Sequence, residues 1–235
     1  MATRSPTPYD SQREALATYF DSTARQAWID LTSDVKVSGI RATVRAGRDA
    51  MRATLLDWLP TDLRRTKVLD AGCGTGAFTI AAACRGAEVT GIDVAAGLVE
   101  VARERTPSFI GHGRIHWRSG DMLDPQLGSF AHVVAMDSLI HYQPSDLVDA
   151  LSELASRTTG SILFTFAPRT RLLQTMYTIG KAFPKSDRSP AIVPTAEAEI
   201  RRRLAHQLPG WSIGRTKRIT SGFYTSQALE LVRHG

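Results

Sequence analysis

Cysteine is scarce in this chain of 235 residues, which carries two, Cys73 and Cys84. Their spacing fits neither a disulfide framework nor a zinc site, so a reducing compartment is expected. Cys73 falls inside a glycine-rich turn where any small residue suffices, and it reads as packing rather than chemistry. No apolar run approaches the ~20 residues that span a bilayer. The opening residues, Met1 to Asp10, are polar, include Pro6 and Pro8, and lead into no apolar segment. A secretory leader is therefore not expected, and the chain reads as cytoplasmic, at most peripheral on a membrane. Internal repeats, long low-complexity tracts and the aromatic–basic repeat of an RNA-binding sheet are also missing, which argues against a nucleic-acid partner. His112 and His116 stand four apart, but Gly111 and Gly113 break any helical ligand pair, so no protein metal site is expected.

What is present suits a globular enzyme. A hydrophobic content of 43% supports a sizeable core, and the length fits one α/β domain with additions. The net charge of +6 is compatible with an anionic surface or an acidic substrate. Arg41, Arg45, Arg48 and Arg52 fall at spacings of four, three and four and share one helix face. Two readings of that stripe stay open: a solvated face, or an anion-attracting stripe near a site.

The most informative stretch is Val68-Leu69-Asp70-Ala71-Gly72-Cys73-Gly74-Thr75-Gly76. A short apolar run ends in an acid and then in alternating glycines, which describes a buried strand entering a tight turn. Glycine permits positive φ there and lets a ligand approach the main chain. Ala77 to Cys84 follows as a small-residue helix whose N-terminus points at that ligand. Strand-like segments recur at Glu88–Asp93, Arg114–Arg118 and His132–Asp137, each ending in or followed by an acid: Asp93, Asp121, Asp137. The pattern predicts a crevice at the carboxyl ends of parallel strands. Its carboxylate-rich rim suits a cofactor with a cationic centre, an ammonium, a ribose and an adenine better than one with two phosphates. The loose dinucleotide fingerprint, Gly72-x-Gly74-x-x-Ala77, remains an open alternative.

Ser11 to Leu31 and Val35 to Leu59 read as helices, the second ended by Pro60. Together, residues 1–60 are expected to form an N-terminal helical lid over a domain spanning 61–235. Further helices are expected over Leu98–Arg105 and Leu147–Ser156, and a fifth strand over Ser161–Phe166. An insertion is expected at about 169–194. It carries Leu172, Leu173, Met176, Tyr177 and Ile179 at helical spacing, flanked by Arg169, Arg171, Lys181 and Lys185. Thr195 to Leu208 reads as a helix with Thr195 as its N-cap. Trp211–Thr220 and Phe223–Val232 read as a closing antiparallel pair. The expected architecture is α/β and Rossmann-like, with a mostly parallel seven-stranded sheet and helices on both faces.

The glycine turn with its strand-end acids resembles class I S-adenosylmethionine-dependent methyltransferases. More specific segments resemble the magnesium-protoporphyrin IX O-methyltransferase family of (bacterio)chlorophyll biosynthesis. These are Tyr19-Phe20-Asp21-Ser22-Thr23, Asp137-Ser138-Leu139-Ile140-His141-Tyr142, Phe166-Ala167-Pro168-Arg169-Thr170 and Ser221-Gly222-Phe223-Tyr224. The resemblance implies methyl transfer from S-adenosylmethionine to a propionate of Mg-protoporphyrin IX. It also implies the porphyrin-binding subunit of magnesium chelatase as a partner, and peripheral contact with the photosynthetic membrane.

Roles follow for named residues. Asp93, with Val94 beside it, is expected on the ribose, and Gly72, Gly74 and Gly76 under the methionine part. Asp70 is expected to orient the turn amides or to reach the ammonium through water. Asp121 and Met122 are expected at the adenine, and Asp137 near the sulfonium. His141 is expected to hold the acceptor carboxylate, and Tyr19 either to meet it when the lid closes or to pack on the core; these two are the catalytic candidates. Phe20 and Arg169 are expected on the substrate, and Tyr142 either on a porphyrin face or in the core. Two rival functions stay open: a methyltransferase for another acceptor such as a quinone precursor, and a non-catalytic nucleotide- or nucleic-acid-binding protein.

Overall fold

Strand β1 (Lys67–Ala71) is buried at every position after its first, as expected of a strand covered on both faces. A computed structural model describes residues 7–23, 25–32, 39–169 and 191–234. Around β1 are built β2 (Glu88–Asp93), β3 (Arg114–Ser119), β4 (Phe130–Ala135), β5 (Thr158–Phe166), β6 (Trp211–Ser221) and β7 (Tyr224–Arg233). They form one seven-stranded sheet in the order β3-β2-β1-β4-β5-β7-β6. The pairs β1–β2, β1–β4, β2–β3 and β4–β5 are parallel, and β7 is antiparallel to both β5 and β6. The strand order reverses between β1 and β4. Two neighbouring connections there leave in opposite directions, so a crevice opens at the carboxyl ends of these strands.

Helices cover both faces. On one, α6 (Pro144–Ser156) and α7 (Glu197–Gln207) bury Leu147, Leu151, Leu154, Ile200 and Leu204 against Leu69, Val133, Phe164 and Leu229. On the other, α3 (Gly39–Trp58) and α4 (Ala77–Cys84) bury Met51, Leu55, Phe78 and Ala82 against Val68, Val89, Val134 and Leu163. Helix α5 (Ala96–Glu104) buries Leu98, Val99, Val101 and Ala102. Gly47 is required in α3 because a Cβ there would collide with the Tyr224 ring.

Residues 8–31 are not one helix. The segment divides into α1 (Pro8–Thr18), a π-helical turn (Tyr19–Thr23) and α2 (Arg25–Leu31). Thr7 and Asp10 close a capping box at the start of α1. The wide turn presents Tyr19 and Phe20 at the break, a use typical of π turns at sites.

Two further expectations change. Thr195 is not the N-cap of α7; Ala196 holds that place without a side-chain cap. Thr195 is buried and bridges to Pro168 instead, with its hydroxyl donating to the Val193 carbonyl at 3.3 Å. β4 ends at Ala135, so Asp137 stands beyond the strand, at φ 55°. The apolar and basic residues expected of the insertion, Arg171, Leu172, Leu173, Met176, Tyr177, Ile179, Lys181 and Lys185, lie outside the described residues. Among the described residues, no helix is long and apolar enough to cross a membrane.

Candidate active site

The turn after β1 is an open cradle. Gly72, Gly74 and Gly76 have φ of 87°, 51° and 82°. The Gly72 and Cys73 amides donate to the Ile92 carbonyl at 2.8 and 3.0 Å, tying the turn to β2. A Cβ on Gly72 would collide with Ser138, so only glycine lets these two loops touch.

Asp93 stands in the cavity wall at the end of β2. Its carboxylate accepts from the Gly74 amide at 2.8 Å and from the Ala95 amide at 2.9 Å. It thereby joins the glycine turn to the start of α5. Burial raises its pKa, and the two backbone donors oppose the rise.

The other strand-end acids are used differently. Asp70 lines the cavity but is buried and does not hold the turn amides; it accepts from the Thr79 hydroxyl on α4 at 2.5 Å. Burial pushes its carboxyl up to about 7, partly offset by Thr79. Asp121 is not in the cavity wall, where Gly120 and Met122 stand instead. Its oxygens accept from Tyr9 at 2.8 Å, Arg13 at 2.5 Å and the Leu123 amide at 2.9 Å, so it docks α1 onto the sheet. Asp137 does line the cavity, but its oxygens are committed. They accept from Arg48 at 2.8 Å, Thr165 at 3.0 Å, Ser226 at 3.0 Å and the Tyr224 hydroxyl at 3.1 Å.

Asp70 has a pH consequence. A carboxyl raised from 3.8 to about 7 holds its proton more tightly in the folded state. Its contribution to stability is full below pH 4, falls as the pH rises towards 7 and stays lost above that. The loss is on the order of 4 kcal/mol. Chemical denaturation across this range is expected to show that decline in the wild type and a flatter profile in Asp70→Asn. Parallel profiles would remove Asp70 as the cause.

The cavity encloses about 640 Å³, within the usual range for a small-molecule site. Its roof comes from the N-terminal helices. Phe20 packs edge-on to Tyr19 and Trp28, at 5.2 and 5.5 Å between centroids, and lies 6.2 Å from the His141 ring. Trp28 covers the glycine turn: its Nε1 is 3.2 Å from where a Cβ of Gly74 would be. Asp21 fixes the π turn by accepting from the Ala96 and Gly97 amides at 3.1 and 2.7 Å.

His141 ends a short 3-10 turn (Leu139–His141), lines the cavity, and has Nδ1 3.4 Å from the Ala191 carbonyl. Tyr19 and Val94 also line the cavity. Tyr142 lines the cavity as well, but it is buried and one face of its ring is stacked on Tyr9 at 5.1 Å. Arg169 is exposed and is absent from the wall; its backbone amide donates to Thr195 at 2.9 Å.

Sequence reasoning gave no site role to Trp28, Ser138 or Tyr224, and left Arg48 within an undecided stripe. The helical spacing of the arginines was a usable signal, because all four line the cavity. Ser138 carried no signal beyond its place in the Asp137–Tyr142 segment. Its hydroxyl is buried without a partner in the cavity wall. A buried orphan of this kind invites a polar ligand atom. Together with the glycine cradle and the Asp93 carboxylate, it fits the polar groups of S-adenosylmethionine.

Comparison with known proteins agrees. Residues 135–233 match the family described as magnesium-protoporphyrin IX methyltransferase C-terminus, and residues 68–159 match a methyltransferase domain. Magnesium-protoporphyrin O-methyltransferase of Rhodobacter capsulatus is 45% identical over 96% of this chain and 98% of its own length. The Synechocystis protein of the same name is 31% identical over 92% of this chain and 94% of its own length. A crystal structure of the Synechocystis magnesium protoporphyrin IX methyltransferase with bound SAH superposes with a TM-score of 0.81 at 30% identity, covering 94% of this chain and 99% of that one. The chain belongs to the magnesium-protoporphyrin IX methyltransferase family, built on the class I S-adenosylmethionine-dependent methyltransferase fold.

Proposed function

We propose that this chain methylates one propionate carboxylate of Mg-protoporphyrin IX, giving the monomethyl ester in (bacterio)chlorophyll biosynthesis. The observation that carries this reading is a carboxylate-rimmed glycine cradle roofed by aromatic residues, within a chain related along nearly its whole length to enzymes of that name. When bound, S-adenosylmethionine supplies a methyl group that passes to a carboxylate oxygen as its bond to sulfur breaks, so the ester forms with no proton to move.

A propionate with a pKa near ~4 is already ionised at neutral pH, so no general base is needed. The protein's work is to position the reactants and exclude water. Asp93 and the glycine turn hold the cofactor. Tyr19, Phe20 and Trp28 form a lid over it, with α1 and α2 as its frame. His141 donates a hydrogen bond to the acceptor carboxylate, and Tyr19 meets the same group when the lid closes. Replacing His141 with alanine is expected to lower kcat about 10- to 150-fold, the range for a hydrogen bond to a charged group. Cofactor affinity should stay near that of the wild type. If calorimetry shows affinity lost and turnover per bound cofactor retained, His141 belongs to the cofactor site.

Two associations extend the reading: receipt of substrate from the porphyrin-binding subunit of magnesium chelatase, and peripheral contact with the photosynthetic membrane. Support for the second comes from Ile192 and Phe223, apolar residues at the cavity that are 40% and 52% exposed. The main test incubates the protein with S-adenosylmethionine and Mg-protoporphyrin IX and separates products chromatographically. A monomethyl ester is expected. No ester, with methylation of a quinone-precursor phenol in a parallel reaction, would transfer the chain to the rival acceptor class.

A further inference from the structure

Helix α3 sends four arginines to the cavity, and three of them are committed. Arg45 donates to the carbonyls of Leu31 and Asp30 at 2.9 and 2.7 Å. Arg48 pairs with Asp137 at 2.8 Å and lies over the Trp28 ring. Arg52 pairs with Asp49 at 2.8 Å. Arg41 lines the same cavity, is exposed, and has no acceptor among the described residues.

Its place makes that notable. Arg41 stands in the first turn of α3, where no acidic residue offsets it, and the helix dipole disfavours a cation at that end. Apolar residues stand near it: Ile40, next in the chain, is 59% exposed, and Val44, one turn along α3, lines the cavity as does Phe223. Thr43 lies against Gly222, the residue before Phe223, and a Cβ on Gly222 would collide with it. An uncommitted cation therefore sits beside an apolar ledge. Along the helix it is seven residues from Arg48, about 10 Å by the rise per residue.

We propose that Arg41 binds the second carboxylate of the dicarboxylic substrate, the one that is not methylated. This rests on the functional reading above. A substrate with two carboxylates on a flat apolar body can offer only one to the methyl group. The other needs a cation away from the reacting centre, and a guanidinium matches a carboxylate with two parallel hydrogen bonds. The ledge formed by Val44 and Phe223 supports the apolar body between them. The same contact accounts for arrest at the monoester. A second methylation requires the molecule to bind reversed, which sets a neutral ester against Arg41 and forfeits the charge-assisted pair.

The test measures KM for Mg-protoporphyrin IX, inhibition by its dimethyl ester, and S-adenosylmethionine affinity, in the wild type, Arg41→Gln and Arg41→Lys. Arg41→Gln is expected to raise KM about tenfold, the low end for a charge-assisted bond because the site is exposed. The change in kcat should be smaller, and the Ki of the dimethyl ester and the cofactor affinity should not move. Arg41→Lys should recover part of the loss. An unchanged KM overturns the proposal. So does an equal weakening of diacid and diester, which would mark a general effect on the cavity, or a fall in cofactor affinity, which would make Arg41 a cofactor ligand. A wild-type protein that forms no ester overturns the functional reading itself, a result distinct from all of these.

Discussion

Asp93→Ala is expected to weaken S-adenosylmethionine binding at least ~100-fold while leaving porphyrin binding much less affected. Two oxygens of one carboxylate match two vicinal ribose hydroxyls, and each such bond contributes about 1.5–3 kcal/mol. The structure adds a second reason for a large effect. The Asp93 carboxylate also accepts from the Gly74 and Ala95 amides, so alanine would release the cradle as well as the ligand. Asp93→Asn keeps the shape and one acceptor but loses the charge and sets an NH2 group against one of the two backbone amides. An intermediate affinity is expected for it. Calorimetry with S-adenosylhomocysteine on folded protein is the measurement, and unchanged affinity in Asp93→Ala would remove Asp93 from the cofactor site.

Arg48→Met is expected to cost about 3 kcal/mol of stability, the low end for stranding one half of a buried ion pair. The Asp137 side chain is 4% exposed and that of Arg48 19%, so little water reaches the pair. Asp137 would keep its hydroxyl donors Thr165, Ser226 and Tyr224, which is why the low end applies. For a domain of this size, that loss corresponds to a fall in Tm of about 6–12 °C. Asp137→Asn keeps the side chain best suited to a positive φ at that position, so it tests the charge without the backbone. In the double variant Arg48→Met/Asp137→Asn, no carboxylate is left stranded, and its stability is expected to exceed that of Arg48→Met alone. A Tm for Arg48→Met equal to the wild type would show that the hydroxyls satisfy Asp137 without the cation.

Local backbone requirements were legible in the amino-acid sequence by itself. The turn at Gly72, Gly74 and Gly76 follows from residue type, since positive φ and close approach both select glycine. Helix α4 and strand β2 occupy the expected residues, and the closing antiparallel pair is present, because alternating and helical apolar patterns are short-range properties.

Which partner each carboxylate finds was decided only by the tertiary structure. Asp70, Asp93, Asp121 and Asp137 look equivalent as acids after strands. Yet Asp121 meets Tyr9 across 112 residues of chain, and Asp137 meets Arg48 across 89. No local pattern encodes such a meeting. Tyr142 stacks on Tyr9 at the cavity wall for the same reason, because Tyr9 belongs to a helix distant in the chain. The arginine stripe divides the two kinds of information. Its period showed that the four side chains share a face. That the face looks into the cavity follows from burial of Met51 and Leu55 on the adjoining face of α3, three and seven residues on from Arg48, because the apolar surface they remove from water fixes the rotation of the helix.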